Sequence, residues 1–343
     1  MKRLFIPLVV IVFLIAVSLG VFTWWRVNSQ PVSGSPNPQR FVIQKGRSAS
    51  QIGEALFSEQ LIKNPLLFKV YVQVTGKEKK IQSGQYSLSP NLNLPQVVRR
   101  LTSGPEELWV TIPEGLRREE IVEKFKSGLE MDANNELVFR QEFLAESKDF
   151  EGFLFPDTYL FPREVTASQV VRKLRNTFDT KIESLQEDIK TSGYTENELI
   201  TLASIIERET KKDNERPIVA GILFNRLEIG MVLQADATVQ YAVANSKLKI
   251  KQSLALQAQN SKLDKWWEPL IKDDLEINSP YNTYKFSGLP PAPIANPGLS
   301  SIQAAVNPVE SDYWYYIHDS KGNIHYARTL EEHNQNIKDF LGR

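Results

Sequence analysis

The sequence predicts an α+β fold carried behind a single N-terminal transmembrane helix. Three observations predict it. The chain opens on a long apolar run, Leu4–Trp25. Two strand-turn-helix units follow it, and beyond Thr166 apolar residues recur with helical spacing until a strand-turn-strand pattern near the C-terminus.

The apolar run comes first. At about 1.5 Å per residue it is long enough to span a hydrocarbon core of roughly 30 Å. Lys2 and Arg3 precede it, which places the N-terminus in the cytoplasm. Trp24 and Trp25 close it, where an interfacial aromatic belt belongs. A cleaved signal peptide has an apolar core of only about 7–15 residues ending in small residues. This run is longer and ends in Trp-Trp-Arg, so a retained single-pass anchor is expected, with residues 1–3 as a cytoplasmic stub. Residues 26–40 contain SQPVSGSPNPQR, rich in Ser and Pro and without periodicity, and read as a linker.

Composition removes several function classes. Lys+Arg and Asp+Glu both number 41, so the basic footprint of a nucleic-acid-binding protein is missing. There is no cysteine, which excludes disulfide frameworks, Cys-ligated zinc and thiol nucleophiles. His318, His325 and His333 are the only histidines, and none stands in H-E-x-x-H spacing. Surface or turn roles are expected for them, and neither a metal nor a cofactor is expected. No G-x-S-x-G elbow occurs, against a serine hydrolase.

The folded part begins near Phe41. Phe41–Gly46 leads into Ser50–Leu56, and Val110–Gly115 leads into Glu119–Phe125; each is a short strand, a Gly turn and an amphipathic helix. Gly46 and Gly115 are expected at φ > 0. Helical sequence around Pro65–Val74, a strand at Gly84–Leu88 and a helix at Leu94–Leu101 complete a small α+β region. Residues 41–160 resemble a LysM module, a small glycan-binding fold with two helices on a short sheet.

Residues 161–343 are expected to form a mainly helical domain with a small β-sheet. Val170–Lys181, Glu183–Lys190 and Pro217–Leu227 are amphipathic, and Ser301–Val306 is helical. Tyr313–His318 and Ile324–Arg328 read as a hairpin around Lys321-Gly322. Thr195 and Glu198 form a capping box in front of Leu199–Thr210. Stepping about 100° per residue along that helix puts Leu199, Leu202, Ala203 and Ile206 on one face. Glu207 and Glu209 fall on the two flanks of this stripe. A carboxyl at an apolar edge is partly desolvated and is expected to hold its proton more tightly, as a general acid requires. Taken alone, Glu-Arg-Glu-Thr near a helix end is usually an exposed, salt-bridged turn.

A series of motifs around this helix resembles the MltG (YceG-like) family of endolytic murein transglycosylases. They are Glu151-Gly-Phe-Leu-Phe-Pro-Asp157-Thr-Tyr159, Leu202-Ala-Ser-Ile-Ile-Glu207-Arg-Glu209-Thr, Glu215-Arg216, and Val219 to Leu227 with Asn225-Arg226. Gly230 to Tyr241, Ser279-Pro-Tyr281-Asn282-Thr283-Tyr284, Gly288 to Gly298, and Glu332-His333-Asn334 follow in family order. The resemblance implies an enzyme anchored in the cytoplasmic (inner) membrane, acting on peptidoglycan glycan strands at the outer face, with penicillin-binding synthases as partners. It implies cleavage of the bond between MurNAc and GlcNAc within strands, leaving 1,6-anhydro-MurNAc ends, with one Glu as acid and then base. That acid is implied to be Glu207, the first Glu of the E-x-E-T segment. Glu209, Gln234, Asp236, Thr238, Asn282 and Thr283 are the polar groups expected to hold the sugar; Tyr241, Tyr281 and Tyr284 are expected to stack on it. Glu151 and Asp157 are expected to brace the groove, and the proline-rich Gly288–Gly298 loop to wall it. Ala237 stands where the family often has Pro, and Ala292 where it often has Gly. Trp266 and Trp267 lie in a long stretch, Ala242–Asn278, and read either as a sugar-stacking lip or as a buried anchor. The rival function is a non-catalytic, membrane-anchored peptidoglycan-binding scaffold for cell-wall synthases.

Overall fold

The computed structural model describes residues 2–254, 263 and 265–342. They form two compact units: Met1–Val110 with Tyr159–Glu164, and Thr111–Thr158 with Val165–Arg343. Mixed helix and sheet agrees with the predicted fold class.

The first unit opens with α1 (Lys2–Asn28). Its stretch Ile11–Asn28 is long and apolar enough to cross a membrane, and its side chains there are mostly uncovered. Residues 29–38 have no regular structure, yet they do not hang free. Ser29 is buried, its carbonyl accepts from Leu94 N at 2.9 Å, and Val32 N and Ser33 N donate to Pro90 O. The strands β1 (Gln39–Ile43), β2 (Gly84–Leu88), β3 (Glu107–Thr111) and β4 (Thr158–Pro162) form one sheet in that order. β2 runs antiparallel to both β1 and β3. Helices α2 (Ala49–Ser58), α3 (Pro65–Val74) and α4 (Leu94–Thr102) lie between them in sequence. Each helix starts where chemistry stops the preceding loop. Ser48, Asn64 and Asn93 cap α2, α3 and α4 by accepting a backbone N–H, and α3 and α4 carry Pro in the first turn. Gly46 takes φ 84°, as expected. Phe41, Leu56, Phe68, Leu88, Val97 and Leu101 form the buried core.

The second unit is mostly helical. It contains α5 (Arg118–Gly128), α6 (Ala133–Glu146), α7 (Ala167–Ile182), α8 (Gln186–Thr191), α9 (Glu196–Glu209), α10 (Arg216–Glu228), α11 (Asp236–Leu254) and α12 (Leu299–Val306). The antiparallel hairpin β5 (Tyr315–His318) and β6 (Ile324–Ala327) and the closing helix α13 (Leu330–Leu341) complete it. α9 is the central helix: Leu199 through Ile206 are all buried, and α10, α11 and α12 pack around it. Its start is the expected capping box, Thr195 N donating to Glu198 Oε2 at 2.8 Å. α10 passes close to the backbone at Val309: a Cβ on Gly221 would collide with the Val309 carbonyl, so only glycine fits.

Candidate active site

The two acids at the end of α9 have different surroundings. Glu207 meets three donors. Gly298 N donates to its Oε2 at 3.0 Å, Ser301 Oγ to the same oxygen at 2.8 Å, and Arg216 Nη2 to its Oε1 at 3.1 Å. Gly298 is the N-cap residue of α12 and has no side chain to serve there. Glu207 Oε2 accepts from that N-cap N–H and from the Ser301 hydroxyl, placing a carboxylate at the positive end of the α12 dipole. Its side chain is 7% exposed.

Glu209 lies on the opposite flank and lines an open cleft of about 520 Å³. Its Oε2 accepts from the Tyr316 hydroxyl at 3.2 Å, and its Oε1 from Ala237 N at 3.4 Å. Burial pushes its carboxyl up to about 7, with the Asp236 charge adding to the rise. The Ala237 N–H, the Tyr316 hydroxyl and the Arg208 cation pull the other way. Asp236, the first residue of α11, accepts from the Tyr284 hydroxyl at 2.6 Å. Gln234 also lines the cleft, from a left-handed backbone at φ 52°, a conformation that costs a non-glycine residue about 1–3 kcal/mol and clusters at functional sites. Arg226 anchors the floor. It is 5% exposed, and it donates through Nε to Trp314 O and through Nη1 to Leu233 O.

A carboxyl whose proton affinity burial raises, over an open, polar, aromatic-lined cleft, is an arrangement suited to proton transfer to and from a sugar oxygen. Residues 41–339 match the model of the YceG-like family. This chain belongs to the YceG-like family. It is 29% identical to the endolytic murein transglycosylase of Bacillus subtilis (strain 168), over 94% of this chain and 90% of that protein. It is 27% identical to the one named so from Streptococcus pneumoniae serotype 2 (strain D39), covering 97% of this chain but only 65% of that protein. The crystal structure of a yceG-like protein from Listeria monocytogenes superposes with a TM-score of 0.55 at 30% identity, over 88% of this chain and 99% of that one.

Across this YceG-like chain the residues expected at the site divide into two sets. Glu209, Gln234, Asp236 and Tyr284 come together around the cleft. Thr238, Tyr241, Tyr281, Asn282 and Thr283 do not line it. Asn282 is fully buried and turns its amide to Leu275 O and Ile277 O, which fixes the turn before Tyr284. Thr238 and Thr283 are buried and bond each other at 2.8 Å, while Thr283 O accepts from Gln234 N. Tyr241 and Tyr281 pack in a tilted pair with ring centres 4.7 Å apart, and the Arg117 guanidinium lies 4.2 Å over Tyr241. Glu207 is not among the cleft-lining residues.

The proline-rich loop is a clamp. Asn296 is fully buried: its amide donates to Leu116 O and Glu151 Oε1, and its side-chain carbonyl accepts from Leu154 N at 2.8 Å. Glu151, in the first family motif, is held in that network, and burial followed by the Glu119 charge pushes it up to about 8. Asp157 pairs with Lys181 at 3.3 Å. The tryptophan pair divides. Trp266 is buried beneath Arg117, 4.5 Å from its guanidinium, so it is an anchor. Trp267 is half-buried, donates to Glu120 Oε2 at 3.0 Å and lies 3.9 Å from the Arg208 guanidinium.

Two of the histidines line the open cleft. His333 lines it and stacks on Tyr315 at 5.1 Å, and burial lowers its proton affinity so that the neutral ring dominates at neutral pH. His318 lines it too and bonds Glu215 at 3.1 Å. Asn334, Tyr316 and Arg226 also line the cleft, beyond the site residues the sequence suggests. Three of these, His333, Asn334 and Arg226, stand inside the family-like motifs, which is the signal the sequence offers for them. His325 braces the hairpin turn through Asp319.

Proposed function

We propose that this chain is an endolytic peptidoglycan lytic transglycosylase, and that Glu209, not Glu207, is its acid and base. The observation that carries the assignment is the position of Glu209: it is the α9 carboxyl that lines the cleft, and burial holds it near neutrality at about 7. Glu207 has both oxygens engaged, Oε2 by Gly298 N and Ser301 Oγ at the start of α12 and Oε1 by Arg216 of α10. In the reaction, protonated Glu209 gives its proton to the oxygen linking MurNAc C1 to GlcNAc, and that C–O bond breaks. The carboxylate so formed takes the proton of the MurNAc 6-hydroxyl as its oxygen bonds to C1. The product ends in 1,6-anhydro-MurNAc and Glu209 is protonated again, so one carboxyl serves both steps. Ordinary glycosidases divide these tasks between two. Tyr316 and Ala237 orient the carboxyl, and Gln234, Asp236 and Tyr284 offer hydrogen-bonding groups to the sugar.

Anchoring follows from α1, with Lys2 and Arg3 holding the N-terminus in the cytoplasm and the cleft on the outer face. The enzyme then works on strands close to the cytoplasmic membrane, which suits the ending of nascent glycan. The first unit, with its short sheet and flanking helices, is read as the LysM-like, glycan-holding part, and penicillin-binding synthases as partners. The test is digestion of purified peptidoglycan by the full chain in detergent, with the released ends identified by mass spectrometry. Anhydro ends from the parent and from Glu207→Gln, but not from Glu209→Gln, are expected. Loss in Glu207→Gln with unchanged folding, and retention in Glu209→Gln, overturns the assignment. Reducing ends make the protein a hydrolase, and binding without cleavage makes it a scaffold.

A further inference from the structure

The first unit carries an apolar surface that neither its core nor the proposed reaction uses. α3 buries Leu67, Phe68 and Val72. It turns Leu66, Val70 and Val74 outward, at 59%, 41% and 82% exposure. Positions i, i+4 and i+8 make one stripe along a helix. Scattered exposed apolar side chains are ordinary; an aligned row of them marks an interaction surface.

What covers the stripe follows from where α3 is fastened. The Tyr71 ring of α3 packs on Trp25 of α1, with centroids 5.3 Å apart. Asn64, the N-cap of α3, donates to Asn28 Oδ1 at 3.4 Å. The next residue, Ser29, is held through its carbonyl by Leu94 N. α3 is thus tied to the last turn of the one helix, among the described residues, able to cross a membrane, at the end marked by Trp24 and Trp25. That is the depth of the lipid–water interface. The charge agrees. From Leu61 to Lys80 the chain carries Lys63, Lys69, Lys77, Lys79 and Lys80 against one acid, Glu78. Lys77 Nζ lies 5.6 Å from the centre of the Tyr71 ring.

We propose that α3 is a membrane-surface helix whose Leu66–Val70–Val74 stripe enters an anionic phospholipid leaflet beside the C-terminal end of α1. Apolar side chains enter the leaflet and the lysines around them meet its phosphates, as in interfacial amphipathic helices. The bilayer contact then holds the first unit against the membrane at two points instead of one. The proposal rests on α1 being an anchor, and the test separates the two.

The chain has no cysteine, so single cysteines can be placed in the full-length protein at Val17, Leu66, Val70, Val74 or Glu187 and labelled with an environment-sensitive fluorophore. Each labelled protein is reconstituted into phosphatidylglycerol-containing vesicles, and quenching by nitroxide-bearing lipids is measured. Strong quenching is expected at Val17, and quenching at Leu66, Val70 and Val74 several-fold above that at Glu187. Replacing the anionic lipid with phosphatidylcholine is expected to reduce quenching at Val70 and not at Val17. Strong quenching at Val17 with Leu66, Val70 and Val74 no higher than Glu187 overturns the surface helix and leaves the anchor standing. No quenching at Val17 overturns both. Quenching at Val70 that is indifferent to lipid charge overturns the electrostatic half of the proposal.

Discussion

Glu207 and Glu209, separated on α9 by Arg208 alone, are held by different parts of the chain. Gly298 N at the start of α12 donates to Glu207, and the Tyr316 hydroxyl of the hairpin donates to Glu209. One acid closes a helix end and the other faces a cleft. Substitutions at the two sites therefore have separable consequences.

Glu209→Gln keeps the shape of the side chain and removes its exchangeable proton. The expected result is a fall in kcat of about 10²–10⁴-fold with substrate binding and melting temperature little changed. Glu207→Ala removes the acceptor of three donors, and a loss of about 1–3 kcal/mol is expected in urea unfolding. Its residual activity should follow the folded fraction.

The acidity of Glu209 sets a pH dependence. The proposed acid must first be protonated, so kcat/KM is expected to fall as pH rises through about 7. Stability moves the same way. The ordinary value is 4.5 and the folded value about 7, so between them the folded state holds more protons than the unfolded chain. This contribution is complete below about 4.5 and is lost as pH rises through about 7. Glu151, pushed up to about 8, extends the decline to higher pH. Unfolding midpoints across this range should show the slope, and Glu209→Gln should flatten its lower part.

The groups around Glu209 shift that profile in opposite directions. Asp236→Asn removes a like charge, and the limb of the kcat/KM profile should move to lower pH. Tyr316→Phe removes a donor to the carboxylate, and the limb should move to higher pH. Ala237→Pro should act like Tyr316→Phe, because proline has no N–H to give Glu209 Oε1. Proline is tolerated in the first turn of a helix, and Ala237 stands there in α11.

Arg117 is 1% exposed, lies between the Tyr241 and Trp266 rings and pairs with Glu119 at 3.2 Å. Arg117→Ala leaves Glu119 buried without that partner and opens space between two rings. A loss of about 3–5 kcal/mol is expected by chemical denaturation. A loss near zero would mean that the residues around it repack.

The elements were legible because their causes are local. Capping residues such as Thr195 and Asn93, the proline at the start of α4 and the glycines at φ 84° and 73° act within a few positions of themselves. The apolar length of α1 is likewise a property of the sequence alone. The aromatic and polar motifs were legible as a set, but not which of their members face substrate. Asn282 and Thr283 read as sugar-binding polar groups, and the fold spends them on its own turn and on a buried hydroxyl pair.

The sequence by itself determined the apolar helix, the helix starts, the family and the helix that carries both candidate acids. Only the tertiary structure decided which flank of that helix faces the cleft. The helical period places Glu207 and Glu209 symmetrically about one apolar stripe, so nothing local distinguishes them. The distinction comes from Gly298 and Ser301 on one side and Tyr316 on the other, partners about ninety or more positions away along the chain. The same holds for the strand Thr158–Pro162, which pairs in the first sheet after a long excursion of the chain. Contacts of that range depend on how the packed cores bring distant segments together, and no short-range pattern of residues encodes them.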